Sequence, residues 1–152
     1  MKKSFKYLVL VVAMLSVLCS CGGEKLTVQT VSGVTAKLKE LGLYDEAEAE
    51  VSEMMTGGQQ LFGITTNHLA YSFRDFGSDE EKCDKMFTAY KDMTVDKVLS
   101  ETEGSNYTIV EGEEDGGYVL IVRVDNTILD IYSPTGAKDD VKELAEALGY
   151  FN

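Results

Sequence analysis

A chain of 152 residues that sets 26 Asp and Glu against 14 Lys and Arg, a net charge of −12, can bury one ordinary core but not two large ones. The acidic excess excludes a reader of nucleic acid, whose phosphates require a basic footprint. One histidine and three cysteines are too few soft ligands for a zinc or iron–sulfur centre, so no metal and no cofactor is expected.

The chain opens with a basic segment carrying Lys2, Lys3 and Lys6, followed by an apolar run from Leu8 to Leu18 broken only by Ser16. That run is shorter than the roughly 20 residues of a membrane-spanning helix and suits a signal peptide. It closes on Leu18-Cys19-Ser20-Cys21 and then Gly22-Gly23. This stretch resembles the lipobox of bacterial lipoproteins, in which a small residue precedes a cysteine that is lipidated before cleavage. Cys19 departs mildly from the small or hydroxylated residue usual at its place. The resemblance covers the first 21 residues and implies a signal peptide at 1–20, lipidation at Cys21, a tether over 21–27 and a single domain over 28–152. It also implies an extracytoplasmic protein, held in the cell envelope on the periplasmic or outer side. Loss of the three N-terminal lysines leaves the mature chain still more acidic, so its membrane link is the lipid and not a basic patch. Cys83 is then the one free thiol, and no internal disulfide can form.

After the tether, Val31, Val34, Leu38 and Leu41 recur at helical spacing and predict a helix over 28–41, stopped by Gly42. Asp45-x-x-Glu48 resembles a capping box and predicts a second helix up to Gly57-Gly58, making an N-terminal helical hairpin. Residues 61–76 read as strands, with Leu69, Tyr71 and Phe73 on one side and His68, Ala70, Ser72 and Arg74 on the other. Ser78-Asp79-Glu80-Glu81 then opens a helix whose apolar stripe is Cys83, Met86, Phe87, Tyr90 and Met93, with 94–101 as its extension or a separate turn. Strands follow at 107–111, 118–124 and 127–133, the last two joined by Asp125-Asn126 as a two-residue turn. A helix over 137–148 closes the chain, with Gly149 as its cap and Tyr150 placed to pack back. The expected fold is α+β: the helical hairpin, then a mainly antiparallel sheet of four or five strands with two helices on one face, of which a ferredoxin-like order is one variant.

With Asp125-Asn126 as the turn, Tyr118, Leu120, Val122, Val124, Leu129 and Ile131 share one face, the expected core beneath the helices at 78–93 and 137–148. The opposite face mixes Val119, Ile121 and Ile128 with Arg123, Asp130 and Tyr132, and Arg74 is placed to join them. A half-apolar face with a polar centre needs a cover. The N-terminal helical hairpin is one candidate; a protein partner, a second copy of the chain or a ligand is the other. Arg74, Arg123, Asp130 and Tyr132 are therefore the candidate binding residues.

Catalytic signals are thin. His68 has no spaced nucleophile, and Cys83 sits in an apolar stripe, where cysteines are inert. The carboxylates Glu111, Glu113, Glu114 and Asp115 crowd a turn without the spacing of a calcium loop. The sequence points to a lipid-anchored, non-catalytic binding or assembly domain. An accessory subunit of a transporter, signalling protein or envelope enzyme is the alternative. A small hydrolase would require Cys83, His68 or a carboxylate pair to converge in a cleft.

Overall fold

The computed structural model describes residues 25–55 and 57–151. Residues 1–20, expected to be a signal peptide, and Cys21 lie outside the described residues, and no described helix is long and apolar enough to cross a membrane.

Seven strands form one antiparallel sheet. A first meander comprises β1 (Glu50–Glu53), β2 (Gln59–Ile64) and β3 (Ala70–Asp75); a second comprises β4 (Lys97–Glu103), β5 (Tyr107–Glu114), β6 (Gly117–Val124) and β7 (Thr127–Ser133). Their order in space is β1-β2-β3-β7-β6-β5-β4, so the second meander starts at the far edge and its last strand closes against β3. Among the described residues three helices complete the fold: α1 (Val31–Glu40), α2 (Glu80–Thr94) and α3 (Lys138–Ala147). The link from β3 to β4 carries α2, and it has to cross the face of the strands between them.

Alternation divides the sheet into two buried faces. On one, Val31, Val34 and Leu38 of α1 and Val141, Leu144 and Ala145 of α3 pack over Leu61, Phe73, Leu120, Val122, Leu129 and Ile131. Thr30 caps α1 by accepting the Gly33 N–H at 3.1 Å. Beyond α3, Gly149 takes φ +80°, as its place after the last turn requires, and returns Tyr150 to the core. The Tyr150 ring meets Phe73 edge-on at 5.9 Å, and its hydroxyl pairs with Thr127 Oγ1 at 2.6 Å. On the other face, Cys83 and Phe87 of α2 cover Val110, Val119, Ile121 and Ile128.

The closing hairpin has the expected register, from Val124↔Thr127 to Val119↔Tyr132. The α+β mixture is broadly as expected, but the architecture is corrected in several respects. No helical hairpin forms. Asp45 Oδ1 accepts the Ala47 N–H at 2.9 Å, which closes a local turn instead of capping a helix, and Glu50–Glu53 pairs with β2. The helical stripe available there, Ala47, Val51, Met54 and Met55, is too thin an apolar face to hold a helix against that pairing. Gly58, at φ +92° with Asp75 O beside it, makes the turn of the new hairpin.

Among the described residues the sheet has seven strands and not four or five, the additional ones being β1 and β4. Both are edge strands with nearly every residue exposed, so neither shows alternating burial. Residues 94–101, expected to extend the helix or form a separate turn of it, instead lead into β4 at Lys97–Glu103. The two helices sharing the core face are α1 and α3; α2 lies on the opposite one, so the order is not ferredoxin-like with helices on one face. Within α2 the buried positions are Cys83 and Phe87, while Met86 and Met93 are exposed.

Candidate functional site

The mixed face is covered over its centre by α2 and not by the N-terminal segment. Beyond the helix, towards β2, the face is open: Phe62 and Ile64 stand 40% and 41% exposed. A cleft of about 470 Å³ lies there, with Asp130, Ser72 and Tyr132 from the central strands, Tyr90 from α2, and Glu48 and Glu114 among its lining residues.

Asp130 is the centre of its chemistry. It sits on β7, 7% exposed, directly opposite Ser72 of β3. Its Oδ2 accepts the Tyr90 hydroxyl at 3.1 Å, and its Oδ1 stands 3.7 Å from Arg74 Nη1. Arg74 in turn lays its guanidinium 4.7 Å from the centre of the Tyr90 ring. Yet Asp130 Oδ1, Ser72 Oγ and Arg74 Nη1 are all buried without a hydrogen bond. Buried polar groups are ordinarily satisfied, and a carboxylate has room for about four donors. Burial pushes the Asp130 carboxyl above its ordinary value, against the opposing pull of Arg74, Ser72 and Tyr90. Burial also raises the Tyr90 hydroxyl to about 12, helped by the Asp130 charge. Glu114 is raised by burial and then by Asp115, Asp130 and Asp96.

Three of the four candidate residues meet here. Arg74 and Asp130 form a loose ion pair, and Tyr132 shares the cleft with Asp130. Tyr132 is held by Gly117, where an added Cβ would stand 2.7 Å from its ring. Arg123 is elsewhere: its Nη2 pairs with Asp84 of α2 at 2.7 Å and its Nε donates to Asp125 O at 3.1 Å, beside Cys83. It ties the helix to the hairpin end of the sheet. Sequence reasoning had Ser72 on the correct face without singling it out, and assigned Tyr90 to the core. Phe62 and Glu114 carry no such signal, since neither β2's pairing nor the path of α2 is written in their spacing.

Cys83 and His68 do not converge. Cys83 is fully buried under α2 near the Asp75–Asn126 end of the sheet, whereas His68 is exposed in the β2–β3 turn at the opposite end. Burial raises the Cys83 thiol to about 11, with Arg123 opposing. Among the described residues, no three His, Cys, Asp or Glu side chains are grouped to hold a metal ion.

No protein-family model matches the chain, and no curated protein matches it. Among solved structures the chain is similar to a protein of Thermotoga maritima described as a GTP binding regulator, at 12% identity and a TM-score of 0.51, over 82% of this chain and 90% of that one. At that identity the likeness is one of fold.

Proposed function

We propose that the chain is a binding domain of a bacterial cell envelope, anchored on the extracytoplasmic side by lipid at Cys21 and carrying no chemistry of its own. The observation that carries the binding half is the cleft beside α2, where buried polar atoms of Asp130, Ser72 and Tyr71 stay short of hydrogen bonds. Its size lies in the small-molecule range of about 300–1,000 Å³. Because α2 occupies the middle of the mixed face, what is left open suits a small molecule better than a flat protein partner or a second copy. The Thermotoga maritima protein's GTP does not carry over readily, since the cleft is lined by carboxylates and by no Lys or Arg that could meet a triphosphate.

The anchoring half rests on the lipobox-like residues. In the native bacterial host, wild-type protein should partition with membranes and carry the mass of a diacylglyceryl group, and Cys21→Ala should lose both properties. Wild type recovered soluble and unlipidated would sink the anchor.

A further inference from the structure

We propose that the cleft takes an organic cation: a primary ammonium group carried on a flat apolar body. The inference rests on the binding reading above and names its ligand class.

The charge of the site sets the sign. Asp130 lies within the lining, Glu48 and Glu114 join it, and no Lys or Arg does. Arg74 is present behind Asp130, but at 3.7 Å it forms no hydrogen bond to Oδ1, and its flat face is spent on the Tyr90 ring. An anion would meet three carboxylates. A cation would supply the charge that Arg74 meets only in part, and the chain's net charge of −12 would draw it in.

The hydrogen-bond deficit sets the group. Ser72 lies directly opposite Asp130 and its one hydroxyl proton can serve only one acceptor, so Asp130 Oδ1 and Ser72 Oγ keep lone pairs that no protein donor fills. A primary ammonium brings three N–H donors in a compact head, whereas a quaternary ammonium brings none. A bare metal ion is disfavoured because the three carboxylates are not grouped to ligate one.

The walls set the rest of the molecule. Phe62, Ile64 and Ala70 give an apolar bed, and the rings of Phe62, Tyr90 and Tyr132 are suited to a planar body beside a positive charge.

The test uses the intact, isotope-labelled protein in detergent, followed by amide and side-chain shifts in nuclear magnetic resonance. Three near-isosteric probes are titrated: phenethylamine, phenethyl alcohol and hydrocinnamate. Phenethylamine should move the resonances of Ser72, Asp130 and Tyr132 and bind about tenfold or more tightly than the alcohol, the margin of a charge-assisted hydrogen bond. Hydrocinnamate should leave the cleft unmoved. Asp130→Asn should bring amine and alcohol to parity. If that variant does not fold, Glu114→Gln should still lower the amine's affinity without changing the alcohol's, and Phe62→Ala should weaken both. Equal binding of amine and alcohol, or tighter binding of hydrocinnamate, in the cleft overturns the ammonium class and leaves the binding domain standing. Shifts confined to other surfaces, or none with any probe, overturn both.

Discussion

Glu111 shows how a half-buried carboxylate can be satisfied where a buried one is not. Its Oε2 takes the Tyr118 hydroxyl at 2.6 Å and the ammonium groups of Lys142 and Lys138 at 2.8 and 3.1 Å. Burial works against its charge, but these donors and Ser100 prevail and hold its carboxyl at about 2. A carboxyl depressed on folding contributes stability that is present above its ordinary value of 4.5 and lost as pH falls towards about 2. Glu111→Gln should therefore cost about 2 kcal/mol near neutral pH and flatten that acid limb, as read by denaturant unfolding at a series of pH values. Asp130 has the reverse sign. Its raised carboxyl favours the folded state at low pH, and that contribution is lost as pH rises through its folded value. Removing it alone strands Arg74, so Asp130→Ala should destabilise by about 2 kcal/mol, whereas Arg74→Met with Asp130→Leu should fall within about 1 kcal/mol of wild type or exceed it. Calorimetric melting of the three proteins distinguishes these outcomes, and the double variant should have lost the amine preference of the cleft.

At the scale of elements, α2 is held to the sheet by a short list of contacts. Phe87 and Cys83 supply its buried apolar side, Arg123–Asp84 pins one half, and Lys91–Glu101 reaches β4 at 3.0 Å from the other. Phe87→Ala should cost about 3–5 kcal/mol and release hydrogen-exchange protection first along α2. Protection lost uniformly across the sheet instead would show that the helix is not a separable unit. The same element shows how far the sequence could be read. Its start, its Cys83–Phe87 side and the register of the β6–β7 hairpin follow from local periodicity and turn chemistry. The face it covers does not, because that depends on β4 lying at the far edge. Nothing in the fully exposed residues of β4 announces that place. The mixed face was legible as a face in need of a cover, with Arg74, Asp130 and Tyr132 correctly placed on it. Arg123 shares that face but answers to Asp84, a partner on α2 that strand alternation cannot reveal.

Over the whole molecule, both sheet faces are covered through their centres, and Cys83 lies sealed between helix and sheet, fully buried, with its thiol raised to about 11 by burial. A maleimide should therefore label Cys83 in the folded protein more than about 100-fold more slowly than in denaturant. The labelling rate should rise in step with global unfolding when Phe87→Ala or Glu111→Gln weakens the fold. Fast labelling at neutral pH in the absence of denaturant would reveal a local opening of α2 that the packing does not suggest.

The antiparallel joint of β3 with β7 pairs residues roughly fifty to sixty positions apart in the chain, whereas every other strand pairing joins sequence neighbours. Each meander can thus zip up from its own turns, and the long-range joint between them is the slow, entropically costly step of folding. Ser72 and Arg74 stand on one side of that joint and Asp130 and Tyr132 on the other. The cleft consequently has no existence in either half-folded piece, and whatever occupies it acts as a clasp. Ligand should leave the folding rate nearly unchanged while slowing unfolding, so that an occupied molecule outlasts an empty one in kinetic terms beyond what its contacts within either meander would give.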